Sequence, residues 1–156
     1  MKKISYILFC LIFICSSALA DSLEESFAKI QEKKKEMISK SIHLTEEQSK
    51  VFWEIYADYE SELSSVTQEG FKLMQKYSEK YRSNSISVQD ASNIMAGDFR
   101  AKAREIQIKE QYLPRYQAAL PAEIVLRFYQ LENKIDLLLG AEIAESLPLL
   151  EPDLNI

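Results

Sequence analysis

The chain has 156 residues, a formal charge of −5, and only three glycines and four prolines against a wealth of Glu, Lys, Gln, Ala and Leu. So few turn formers favour helix over strand. The acidic balance makes nucleic acid and anionic lipid poor partners.

In chain order, Lys2 and Lys3 precede an apolar run from Ile4 to Cys15, which closes on the small residues before Asp21. Basic, apolar and cleavage regions in this order predict a secretory signal peptide over residues 1–20, cut after Ala20. The run is shorter than the roughly 20 residues that cross a bilayer. Cys10 and Cys15 lie inside it without the approach of a lipoprotein signal, so no stable membrane anchor is expected. The mature chain then lacks thiols, and its charge becomes 17 − 24 = −7 once Lys2 and Lys3 are gone. The remainder suits a single helical domain over residues 21–148, followed by a loose C-terminal tail over 149–156.

Ser22 and Glu25 have capping-box spacing, and Leu23, Phe27, Ile30 and Met37 predict a first helix from Leu23 to Lys40, with Lys34 snorkelling on the stripe. The second helix has the clearest pattern. Phe52, Tyr56, Tyr59, Leu63, Val66, Gly70, Leu73 and Tyr77 recur at alternating four- and three-residue steps from Glu46 to about Tyr81. Thr45 is placed to cap it, with Gln48 at the reciprocal position. Ser83-Asn84-Ser85 predicts a turn, and Ser87 with Asp90 opens a third helix. Its expected stripe is Val88, Ala91, Met95, Phe99, Ala103, Ile106 and Leu113, stopped or bent by Pro114. Pro121 suits the first position of a fourth helix that carries Ile124, Phe128, Leu131, Ile135 and Leu138 and ends before Pro148.

Placing the start of the second helix over that of the fourth, at an offset of 76 residues, aligns Leu44 with Leu120, Glu47 with Glu123, Phe52 with Phe128, Trp53 with Tyr129 and Ile55 with Leu131. Five similar positions in twelve suit either an internal repeat or two unrelated amphipathic helices.

Catalytic and metal chemistry find little to work with. His43 is the only histidine, and it reads as a loop residue ahead of a helix. No glycine-rich phosphate loop and no Glu-x-x-His spacing is present. The sequence therefore predicts no enzyme, no metal and no cofactor. Trp53 and Phe71 fall beside the main stripe of the second helix, where they either pack on a neighbouring helix or form an exposed patch for a client or partner.

A leader, a charged first helix and then Leu44-Thr45-Glu46-Glu47-Gln48 opening a long heptad helix resemble the periplasmic LTxxQ proteins of the Spy/CpxP family. Leu120-Pro121-Ala122-Glu123-Ile124 falls where that family's second copy stands, with Pro for Thr and Ile for Gln. The resemblance implies an all-α elongated helical hairpin of about four helices and a homodimer. It also implies a binding role, either as an ATP-independent chaperone or as an envelope-stress factor, with unfolded or envelope proteins as partners. A structural or regulatory subunit of an envelope protein complex is the alternative.

Overall fold

The computed structural model describes residues 19–150, and within them the side chains of residues 19–27, 142 and 146 are left undescribed. The predicted signal peptide, apart from its last two residues, and the tail beyond residue 150 lie outside this range. The fold is all-α. Among the described residues there are four helices and no strand: α1 (Leu19–Ser41), α2 (Glu46–Arg82), α3 (Val88–Ala119) and α4 (Ala122–Ser146).

The described residues fall into two units that divide between His43 and Leu44. In the first, α1 runs unbroken from Leu19, so Ser22 lies inside the helix instead of capping it. Leu19 and Ala20 are good helix formers and extend it upstream. Met37 is 40% exposed, while Ile38, Ile42 and Lys34 are buried, so the inward line passes one residue beside the expected stripe. Lys34 is 7% exposed, so its stem is buried on the inward line, as a snorkelling lysine on the stripe requires. Glu36 and Lys40 form an ion pair one turn apart on the exposed face.

The second unit is a three-helix arrangement built on α2. Thr45 caps α2 as its spacing predicts. The Gln48 amide donates to Thr45 Oγ1 at 3.2 Å and the Thr45 amide donates to Gln48 Oε1 at 3.0 Å. Ser87 and Asp90 repeat the device at the start of α3. Between them the chain reverses through Ser83-Asn84-Ser85, where Asn84 takes φ 49°, a left-handed conformation that asparagine tolerates.

α3 returns antiparallel along α2, as its cross-links show: Lys80 to Asp90 near the turn, Arg104 to Glu62 midway, and Arg115 to Asp58 toward the far end. α4 then runs parallel to α2, since Phe128 meets Phe52 near its start and Tyr77 Oη donates to the Pro148 carbonyl beyond its end. Pro121 caps α4 without a side-chain bond, one position earlier than expected, and its carbonyl accepts from the Ile124 and Val125 amides.

Pro114 does not stop α3 at Leu113, and the helix continues to Ala119. Proline removes one amide donor and crowds the carbonyl of residue 110. The residues on either side of it hold the turn in place, because Tyr112, Tyr116 and Leu120 are all buried.

Candidate functional site

The interior of the second unit is an aromatic cluster at the end where α2 begins. Phe52, Tyr59, Tyr116 and Phe128 are fully buried, with Tyr56 and Tyr112 nearly so. Phe52 and Phe128 meet edge to face with centroids 5.2 Å apart, and Phe128 lies 4.8 Å from Tyr116. Such pairs add to stability beyond the area they bury. The two residues aligned by the 76-residue offset are thus neighbours in space, and both helices bury the same register: 52 with 128, 56 with 132, and 59 with 135.

Glu132 is the one acidic residue inside this cluster, and Tyr59 Oη donates to its carboxylate at 2.8 Å. Burial pushes the phenols of Tyr56, Tyr59 and Tyr116 well above their ordinary value, and the Glu132 carboxylate adds to the shift in each. Tyr129, less buried, is pushed up to about 12 by the same burial and the same carboxylate. These phenols stay protonated at neutral pH and serve as packing and hydrogen-bonding groups. Beside them Lys109 bridges Glu105 and Asp136, tying α3 to α4. Burial pulls its ammonium down, but the two carboxylates outweigh that and leave it raised.

The outer side of α3 differs in kind. Val88, Met95, Phe99 and Ile106 are 69%, 57%, 68% and 58% exposed. At 100° per residue they fall within about 40° of one another around the helix. The sequence identifies this stripe as the inner face of α3, and the structure turns it outward. Gly97, Ile108, Tyr112 and Tyr116 face inward instead. Gly97 lies where α2 and α3 approach closely near the turn: a Cβ there would stand 2.6 Å from Leu73 Cδ1, so a larger residue requires the Leu73 side chain to shift.

α4 also exposes Leu126, Leu137 and Leu138, although Leu138 is expected on its inner face. Buried Glu132 and Val125 lie on that face. Leu126 and Leu137 are separated on their own face by Gln130, Asn133 and Lys134, so they do not form a continuous stripe.

Trp53 is half-buried, its ring edge-on to Phe52 at 4.9 Å and to Tyr56 at 5.2 Å. Phe71 is also half-buried, five turns further along α2 and roughly 27 Å away. Leu44 is half-buried ahead of the Thr45 cap, and Leu120 is buried ahead of Pro121, so both pentapeptides open a helix with an apolar residue tucked in just before it. His43 is exposed in the connection before α2. Among the described residues, no group of three or more His, Cys, Asp or Glu side chains is placed to hold a metal ion, and no helix is long and apolar enough to cross a membrane.

Comparison with family models, with curated proteins and with solved structures returns no match.

Proposed function

We propose that this chain is a periplasmic binding protein of the LTxxQ type, which acts by reversible association with unfolded or envelope proteins and not by chemistry. The observation that carries the reading is the outward stripe of α3: four large apolar side chains in one line on an otherwise charged helix. An apolar line of this length in water favours association, because covering it removes apolar surface from solvent. Supporting it, the Leu44–Gln48 segment forms a complete capping box at the head of the long helix, while Leu120-Pro121 opens α4 at the corresponding position without a side-chain cap. Export rests on the leader-like residues 1–20.

Capture of proteins from a periplasmic extract on the immobilised chain tests this. Many unfolded clients, released by competition with a denatured test protein, are the expected result. Recovery of one stoichiometric partner favours a subunit of an envelope complex instead, and recovery of nothing above a control helical protein removes the reading.

A further inference from the structure

Among the described methionines, Met95 stands furthest into solvent: it is 57% exposed, against 40% for Met37, and Met74 is half-buried. It lies in the middle of the outward line of α3, one turn before the exposed Phe99. Ser92 and Lys102 interrupt that line on either side of the pair. Met95 and Phe99 thus form a short apolar spot between polar side chains, in which each of the two carries a large share of the apolar area.

A thioether is a soft, adaptable apolar group that suits a surface meeting varied segments. It is also open to two-electron oxidation, and the sulfoxide that results is polar and chiral. Loss of residues 1–20, expected of the leader, takes Cys10 and Cys15 with it, so that no thiol then competes for the oxidant.

We propose that Met95 is a redox-modification site, converted to the sulfoxide by an oxidant of the hypochlorous acid class, and that the modified α3 surface releases its apolar ligand. This rests on α3's outer face being an association surface and names how that surface is regulated. In the step, a sulfur lone pair attacks the chlorine of hypochlorous acid, the Cl–O bond breaks and hydroxide leaves. Water then adds its oxygen to the chlorosulfonium sulfur, the S–Cl bond breaks and chloride leaves. Water gives up both protons, one of which neutralises the hydroxide. Sulfur is oxidised by two electrons and chlorine reduced by two, and the net products are the sulfoxide, chloride and one proton.

The added oxygen leaves Phe99 as the only large apolar side chain between Ser92 and Lys102. Met95 points away from the packed face marked by Gly97 and Ile108, so the helix stays folded while its outer face loses apolar area. Reduction of the sulfoxide restores the thioether, which makes the switch reversible.

The test uses the chain expressed from its full sequence and purified as the host leaves it, treated with rising equivalents of hypochlorous acid. Peptide mass mapping reads which methionines gain oxygen, and circular dichroism reads helicity. Fluorescence anisotropy reads affinity for reduced, carboxymethylated serum albumin, an unfolded and acidic probe that the negative chain does not attract by charge. Met95 is expected to gain oxygen ahead of Met37 and Met74. Helicity is expected to stay unchanged while affinity falls by ~10-fold, as loss of one methionine's burial implies. Methionine sulfoxide reductases of both stereospecificities are expected to restore it. Met95→Leu retains every other oxidisable side chain, Trp53 included, and is expected to bind like wild type and to keep its affinity through the same dose. Met95→Gln is expected to bind weakly without oxidant.

Oxidation of Met37 or Met74 ahead of Met95, loss of helicity on oxidation, or a Met95-oxidised protein that binds as before each overturns the proposal. So does a Met95→Leu variant that loses affinity as steeply as wild type. Untreated protein that fails to bind the unfolded probe removes the proposed function and the switch with it. Untreated and oxidised protein that bind equally well remove the switch alone.

Discussion

The two halves of α2 are one continuous helix with one heptad pattern, yet they are held by different forces. Its first half, from Phe52 to Leu63, lies in the aromatic cluster with α3 and α4, where Phe52, Ile55, Tyr56, Tyr59 and Leu63 are all buried. Its second half keeps the same spacing through Val66, Gly70, Leu73 and Tyr77, but these residues are only half-buried. The turn-proximal half depends instead on a close helix approach at Gly97, a capping box at Ser87, and the ion pairs of Asp90 with Lys76 and Lys80. A periodic stripe marks which face of a helix turns inward. How deeply that face is buried depends on the bulk its neighbours bring.

The contrast can be broken most forcefully at the aromatic end. Phe128→Ala removes a fully buried ring that touches Phe52, Tyr59 and Tyr116, and is expected to cost about 3–5 kcal/mol in urea unfolding. A loss below about 1 kcal/mol would show that the cluster can collapse around the gap. At the other end Gly97→Val is expected to cost about 1–3 kcal/mol through overpacking against Leu73. If Gly97→Val proves stabilising, Leu73 has room to swing aside, and the close approach sets no limit on the residue at position 97.

Caps act on a smaller scale. Thr45→Ala is expected to destabilise by about 1 kcal/mol, with Thr45→Ser close to wild type, because the lost element is the hydroxyl that accepts from the Gln48 amide. Equal effects of the two substitutions would assign Thr45 a packing role.

The two ends also respond to opposite extremes of pH. The phenols of Tyr59 and Tyr116 are raised above the unfolded value near 10, so their contribution is complete below that pH and is lost as pH rises through the folded values. Ultraviolet titration in alkali should show these phenols ionising only as the aromatic end opens. Asp90 runs the other way. Hydrogen bonds from Lys80 and Ser87 hold its carboxyl well below the ordinary range, so its contribution is present above the unfolded value near 4 and is lost as pH falls through the folded one. Acid should therefore loosen the turn before the aromatic end, as followed by hydrogen exchange at residues 83–90. Simultaneous loss at both ends would mean that the unit melts as a whole.

Much of this was legible in the sequence, and the exceptions share a cause. Both capping boxes, the turn at Asn84 and the full length of α2 follow from local chemistry that tertiary packing does not alter. The α3 stripe also has the spacing the sequence predicts, but periodicity alone cannot say whether a stripe meets the rest of the chain or the solvent. The inner face of α3 combines glycine with tyrosines, which score poorly as core residues, while Val, Met, Phe and Ile mark the outer one. Glu132 escapes a sequence reading for the same reason, since a carboxylate is expected at the surface, whereas here it accepts from Tyr59 across the helix interface. Of the two outcomes expected at Pro114, a bend or a stop, the stop does not occur, because the buried tyrosines on either side hold the helix through it to Ala119. At the candidate site the sequence singles out Trp53 and Phe71, whereas the exposed apolar line, interrupted by Ser92 and Lys102, belongs to α3.

The central claim is that α3 carries an apolar face used for association and not for folding. The double variant Met95→Ser with Phe99→Ser tests it most directly, in a single assay of aggregation suppression on a denatured test protein. The account predicts a helical signal and an unfolding midpoint close to wild type, with a shift of no more than about 0.5 kcal/mol, and a clear loss of suppression. A variant that unfolds would place these side chains in the core, and a folded variant with undiminished suppression would contradict the assignment of the surface.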